Sequence, residues 1–156
     1  EAFDKYKSSM EKVGNALGQF SSNTLLDKLF FFELTLFSFL TGNNDMHLKN
    51  FSMIESDSGW ILSPAYDLLN VAIVNPEDTE ELALTLKGKK KKFKKEHFLN
   101  FGESLGLNAK QINTVFNRFQ KKKSGMIKMI QNSFLSKKME IAYTEVLENR
   151  FLRLHT

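Results

Sequence analysis

Apolar residues at Phe3, Tyr6, Met10, Val13 and Leu17 recur in steps of three and four, the spacing of one helical face, and Gly18 offers a stop. Residues 21–24 supply Ser and Asn as capping types ahead of residues 25–40, which are apolar nearly all round. A helix of that kind lies in the middle of a core. Glu33 inside it needs a partner, and a contact at the helix edge explains it more simply than catalysis does. Gly42 ends the segment. Residues 51–55 and 60–63 then read as two strands joined by Ser56, Asp57, Ser58 and Gly59. Pro64 leaves the second strand, residues 65–70 form a loop or short helix, and residues 83–86 fit one more short strand.

From Glu96 the helical period returns. A helix ending at Gly106 carries Phe98, Leu99, Phe101 and Leu105 on its apolar face. Asn108 caps another, from Ala109 to about Phe119, with Ile112, Val115, Phe116 and Phe119 inward. Residues 121–125 break the pattern. Residues 126–134 give a helix with Ile127, Ile130 and Phe134 inward, and Ser136 opens a last one to about Leu154 through Met139, Tyr143, Val146, Leu147 and Phe151. The prediction is a single domain over 1–156, mainly α with a small β-hairpin, with no internal repeat and no boundary.

Composition agrees. At 156 residues the chain can bury a real core, and 42% hydrophobic with 26% charged residues argues for a globular domain over a disordered one. Fifteen Phe point to a densely aromatic core, or to a face that packs against something else. With no cysteine there is no disulfide and no thiolate metal site, which fits a reducing cytoplasm. The longest apolar run, residues 29–40, is too short to span a bilayer and carries Glu33, so no membrane role is expected. The first residues read as no signal peptide, and a start on Glu1 points to a piece of a longer protein. A net charge of +4 permits anionic partners without requiring them.

The chemistry concentrates between the central apolar segment and the second predicted strand. Asp45 is followed five positions later by Asn50, and Asp67 comes after the hairpin. That layout suits phosphoryl transfer, with one aspartate receiving a hydroxyl proton and an Asn–Asp pair holding Mg²⁺ on ATP. Mg²⁺ takes a few hard protein oxygens and completes its shell with phosphates and water. The hairpin accounts for the gap, because two strands out and back return Asp67 toward Asp45. Lys49 could reach a phosphate as a point charge. The same residues are also ordinary loop formers, and spacing alone leaves a solvated turn open.

Residues 42–52, Gly-Asn-Asn-Asp-Met-His-Leu-Lys-Asn-Phe-Ser, resemble the catalytic loop of HipA-like serine/threonine kinases, a G-N-x-D-x-H-x-K-N-x-S run after an apolar helix. Residues 63–69, Ser-Pro-Ala-Tyr-Asp-Leu-Leu, resemble that family's L-x-P-x-Y-D-L-L segment, where its metal-binding Asp lies. Residues 83–89 resemble a third feature just downstream. The resemblance covers residues 25 to about 106 well and the later helices by architecture only. It implies the C-terminal, helical lobe of a protein-kinase-like fold. By it Asp45 is the catalytic base, Asn50 and Asp67 bind Mg²⁺, and Lys49 lies near the phosphates of ATP. His47 belongs to the same nucleotide-binding run, where its expected part is a hydrogen bond that fixes the loop. The family's kinases are toxins that phosphorylate aminoacyl-tRNA synthetases and are paired with a DNA-binding, HipB-like antitoxin. An aminoacyl-tRNA synthetase or a translation factor is thus the protein substrate this resemblance implies.

A kinase also needs a Gly-rich loop and a β-strand lysine from an N-terminal lobe, and nothing before Phe37 supplies them. Residues 1–156 alone are therefore expected to bind ATP weakly and to be inactive or nearly so, with some exposed Phe belonging to the interface with that lobe. Lys87, Lys89, Lys90, Lys91, Lys92, Lys94 and Lys95 crowd around one Gly and Phe93. They read as a solvated loop, or as a DNA contact with an interleaved aromatic. The rival function is accordingly a non-catalytic, DNA-binding or interaction module acting with an antitoxin.

Overall fold

One helix gathers the rest of the chain around it. In the computed structural model, which describes residues 4–154, α2 (Thr24–Thr41) packs against α1 (Met10–Phe20), α3 (Lys95–Ser104) and α5 (Lys137–Arg153). Phe31, Phe32, Leu36, Phe39 and Leu40 of α2 are fully buried, beside Phe98 and Phe101 of α3 and Leu147 and Phe151 of α5. Each such side chain contributes about 1.5–3 kcal/mol of burial. The polar breaks in α2 cost little. Thr35, Ser38 and Thr41 donate to the carbonyls four residues earlier, at 2.8 Å each. Glu33 does make a helix-edge contact, an ion pair with Arg118 of α4 (Ala109–Gln131).

The Phe side chains divide between core and surface. Phe31, Phe32, Phe39, Phe93, Phe98 and Phe101 lie in the core, whereas Phe20, Phe30 and Phe134 are exposed.

The hairpin is antiparallel, β1 (Met53–Ser56) against β2 (Gly59–Leu62), with Met53 opposite Leu62 and Ser56 opposite Gly59. The turn is tighter than the four residues expected. Asp57 and Ser58 keep negative φ and Gly59 takes φ 101°, the positive-φ position that follows a type I turn. Asp27, buried in the first turn of α2, accepts from the Ser21 hydroxyl at 2.6 Å and from the Leu62 N–H at 2.7 Å. Ser22 N–H adds a bond to the Trp60 carbonyl. These contacts tie the hairpin to the start of α2 and so aim the chain that leaves it at Ser63.

Four expectations need correction. The first helix begins at Met10, and Phe3 lies outside the described residues. Asp4–Tyr6 is a 3₁₀ turn, Ser9 caps α1 by accepting from Lys12 N, and Gly18 stays inside the helix. α4 passes straight through residues 121–125. Lysines are good helix formers, and Gly125 costs only about 1 kcal/mol relative to Ala; packing of Met126, Ile127 and Ile130 on the core outweighs it. Because α4 ends at Gln131, Phe134 falls in the connection to α5 and is exposed rather than inward. Residues 83–86 form no strand, only single bridges from Thr85 to Ser9 and from Leu86 to Lys89. The caps at Asn108 and Ser136 stand where the sequence put them.

The C-terminal helix is locked by ion pairs. Arg153 makes two bonds to Glu81, at 2.6 and 2.9 Å, and Glu81 also accepts from Phe93 N–H. Arg150 lies over the Phe39 ring, 4.6 Å from its centroid. Burial pulls its guanidinium down to about 10, with Glu81 holding it up in part, so it is charged at neutral pH.

Candidate active site

The site begins where α2 stops. Gly42 caps the helix in a left-handed conformation, φ 75°, and its carbonyl accepts from both Val71 and Ala72 N–H at 3.1 Å. A side chain there would meet Asn70 Oδ1 at 2.9 Å and Ala72 Cβ at 3.1 Å. One glycine therefore turns the chain into the polar loop and receives the segment that carries Asp67 back to it. Met46, fully buried beneath the loop, packs its sulfur 3.2 Å from the Ser38 hydroxyl oxygen and pins the loop to α2.

The loop closes on a 3₁₀ turn, Leu48–Asn50. Asn50 is buried. Its Oδ1 accepts from His47 N–H at 2.9 Å, and its Nδ2 donates to Asp67 Oδ2 at 2.8 Å. Asp67 is exposed, at φ 56°, a strained conformation for a non-glycine residue. Asn43 joins the two aspartates. Its Oδ1 accepts from Asp45 N–H at 3.3 Å, and its Nδ2 reaches the Asp67 carbonyl at 3.5 Å. Asp45, Asn50 and Asp67 thus belong to one hydrogen-bonded cluster.

His47 is buried and fixes the loop chiefly through its backbone. Its N–H is held by Asn50, and its carbonyl accepts from Asn50 N–H. Its ring packs edge-on against Tyr6, centroids 5.3 Å apart, and no partner among the described residues meets Nδ1. The Lys49 side chain is exposed, while its carbonyl accepts from the Tyr66 hydroxyl at 2.9 Å.

Three contributors escaped the sequence reading. Asn43 and Tyr66 stand in the two family-like runs, but no role was drawn for either from the sequence. Tyr66, one residue before Asp67, anchors that segment to the 3₁₀ turn. Tyr6 is the largest omission. Its hydroxyl donates to Asp45 Oδ1 at 2.6 Å from 39 residues away, and it looks in sequence like one more apolar position of a first helix. The hydrogen bond to Asp45, helped by burial, raises the phenol above its ordinary range.

The lysine run is exposed at Lys87, Lys89, Lys91, Lys92 and Lys94. Phe93 is not interleaved among them as an open aromatic; it is fully buried against Phe39 and Phe98. Lys90 pairs with Glu80 at 3.0 Å.

Chemically, the cluster presents a solvent-exposed carboxylate, Asp67, beside the buried amide of Asn50, with a second carboxylate, Asp45, on the same loop as that amide. Among the described residues no three His, Cys, Asp or Glu side chains gather as a self-sufficient metal cage. A helical lobe in which the central helix runs into such a loop, followed by a hairpin and a returning aspartate, is the C-terminal lobe of a protein-kinase-like fold. The family model for the HipA-like C-terminal domain matches residues 1–126, and the chain belongs to that family. A Sinorhizobium fredii protein named "Putative kinase Y4dM" is 34% identical over 108 residues, 68% of this chain and 26% of its own length. A Haemophilus influenzae protein named "Putative kinase" is 28% identical over 120 residues, 67% of this chain and 35% of its own. Among solved structures, the toxin–antitoxin complex of HipA, HipB and operator DNA from Shewanella oneidensis MR-1 superposes with a TM-score of 0.79. The match covers 94% of this chain and 36% of that one at 23% identity, and so speaks for the fold. The chain thus spans only about a quarter to a third of the length of these relatives. No helix among the described residues is long and apolar enough to cross a membrane.

Proposed function

We propose that this chain is the C-terminal catalytic lobe of a HipA-like protein serine/threonine kinase. The observation that carries the reading is the 2.8 Å contact between Asn50 and Asp67, made on the loop that also bears Asp45. Asn50 and Asp67 would hold Mg²⁺ bound to ATP, the amide of Asn50 rotating so that Oδ1, which here accepts from His47 N–H, replaces Nδ2 beside Asp67, while phosphates and water supply the remaining oxygens. When bound, the ion would neutralise charge on the phosphoryl group being transferred. Asp45 accepts the proton of the acceptor hydroxyl as the new oxygen–phosphorus bond forms and the bond to the β-phosphate oxygen breaks, leaving ADP. Lys49, exposed beside Asn50, supplies positive charge toward the phosphates.

The nucleotide's other wall would come from an N-terminal lobe, and residues 1–156 alone would bind ATP weakly and be close to inactive. A HipB-like DNA-binding antitoxin is the partner suggested by the complex in which the superposing HipA structure is found. An aminoacyl-tRNA synthetase or translation factor as substrate rests on the family resemblance alone. The test is titration of the full-length protein with Mg²⁺·ATP. Asp67→Asn should weaken nucleotide binding at least about tenfold, the loss expected when a carboxylate ligand to a shared ion becomes neutral. Equal affinity in both proteins would remove the catalytic reading.

The exposed lysines between 87 and 94 favour a second, compatible reading, contact with operator DNA alongside an antitoxin. Burial of Phe93 leaves that contact to charge, so it should be salt-sensitive and indifferent to sequence. Duplex binding that falls steeply with salt and is lost on replacing Lys89, Lys91 and Lys92 by Ala would support it. No binding at low salt would remove it.

A further inference from the structure

Asp45 is gripped from outside its own loop. The Tyr6 hydroxyl donates to Oδ1 at 2.6 Å, and among the described residues no donor reaches Oδ2. The ring that carries the hydroxyl is braced. It stands edge-on to His47 at 77°, with Lys5 Nζ 4.8 Å and Lys90 Nζ 6.0 Å from its centroid. The backbone behind it is bolted down, since Thr85 N–H donates to the Ser8 carbonyl and Met10 N–H to the Thr85 carbonyl. A latch meant to leave would be held more loosely than this. A hydroxyl that occupies one carboxylate oxygen and leaves the other open is placed to fix the rotamer of Asp45.

We propose that Tyr6 is a positioning residue for phosphoryl transfer, its phenol O–H holding the Asp45 carboxylate through Oδ1 so that Oδ2 faces the acceptor hydroxyl. This rests on the kinase reading of the site. Geometry of this kind matters because misplacing a reacting group by about 1 Å can cost on the order of a hundredfold in rate. Tyr6 makes no hydrogen bond to Asn50 or Asp67, so the effect belongs to turnover and not to nucleotide binding.

The experiment uses the full-length protein and compares wild type with Tyr6→Phe, which keeps the ring against His47 and removes only the hydroxyl. The expected result is a kcat about ten- to a hundredfold lower, a KM for ATP within about twofold, and a melting temperature lowered by no more than about 2–4 °C. A kcat within about twofold of wild type would overturn the proposal, and a faster Tyr6→Phe would show that the hydroxyl obstructs the acceptor. A second readout needs no turnover. In ¹³C-tyrosine spectra the Tyr6 phenol should titrate above the ordinary tyrosine range, with Asp45, His47, Lys5 and Lys90 as its charged or titratable neighbours. Asp45→Ala should return it toward that range, and a Tyr6 titration indifferent to Asp45→Ala would overturn the contact itself. A wild type that titrates as expected but transfers no phosphate to any hydroxyl would instead overturn the kinase reading beneath the proposal.

Discussion

Asn50 Nδ2 lies 2.8 Å from Asp67 Oδ2 across 17 residues of sequence and a complete hairpin. The two residues differ in kind. Asn50 is buried and held at its other amide atom by His47 N–H, while Asp67 is exposed and sits at φ 56°. The neutral amide can satisfy the carboxylate without a metal, and it leaves Asp67 open on its solvent side.

Asn50→Asp should therefore destabilise the metal-free protein and make it respond to Mg²⁺. Two carboxylates about 4 Å apart repel by about 1 kcal/mol in water, and because residue 50 is buried and the contact is closer the cost here is larger. The melting temperature should fall by more than about 2–4 °C and recover with millimolar Mg²⁺ more than the wild type gains. Differential scanning calorimetry with and without Mg²⁺ reads this directly. A variant that melts like the wild type and ignores Mg²⁺ would count against a metal ion shared by residues 50 and 67.

Gly42→Ala tests the junction that brings Asp67 home. A left-handed residue with a Cβ costs about 1–2 kcal/mol, and the added carbon would press on Asn70 Oδ1 at 2.9 Å. Urea denaturation should give a loss of about 2 kcal/mol. Amide exchange at Val71 and Ala72, whose N–H groups bond the Gly42 carbonyl, should rise more than exchange in α3.

Asp27→Ala should cost about 1–3 kcal/mol, because it takes the acceptor from the Leu62 N–H and the Ser21 hydroxyl at a buried position. Asp27→Asn keeps an acceptor oxygen and should lose less. Chemical denaturation of the pair separates the lost bond from the lost charge.

Acid should weaken the protein through Glu81. Burial alone would raise its carboxyl, but the bonds from Arg153 and Phe93 N–H and the charge of Arg150 outweigh it and hold the group below 4.5. A carboxylate depressed in the folded state stabilises fully above its unfolded value and loses that contribution as pH falls through its folded value. Wild-type stability should thus decline as pH drops below about 4.5, and Glu81→Gln should lack that part of the decline. At neutral pH Glu81→Gln removes the carboxylate shared by two arginines. It should cost about 2–3 kcal/mol, below the range for a fully buried pair because Arg153 is partly exposed. Denaturation at pH 7 and pH 4 in both proteins checks the magnitude and the sign.

Much of this was legible along the chain, where the cause is local. Caps at Asn108 and Ser136, a glycine at the end of α2 and a hairpin with Gly59 at its turn follow from what each side chain does to its own backbone, and the sequence alone determined them. It likewise marked Asp45, Asn50 and Asp67 as one group, because the hairpin between them has a fixed out-and-back length. Only the tertiary structure decided what depends on packing between distant segments. α4 runs through a lysine–glycine stretch that looks like a break, because burial of Met126, Ile127 and Ile130 outweighs a small local penalty. Phe93 leaves the lysines and enters the core because Phe39 and Phe98 enclose it there. Tyr6 reaches Asp45 because the bridge from Thr85 to Ser9 carries the first turn across the loop, a relation between segments far apart in sequence that no local period encodes.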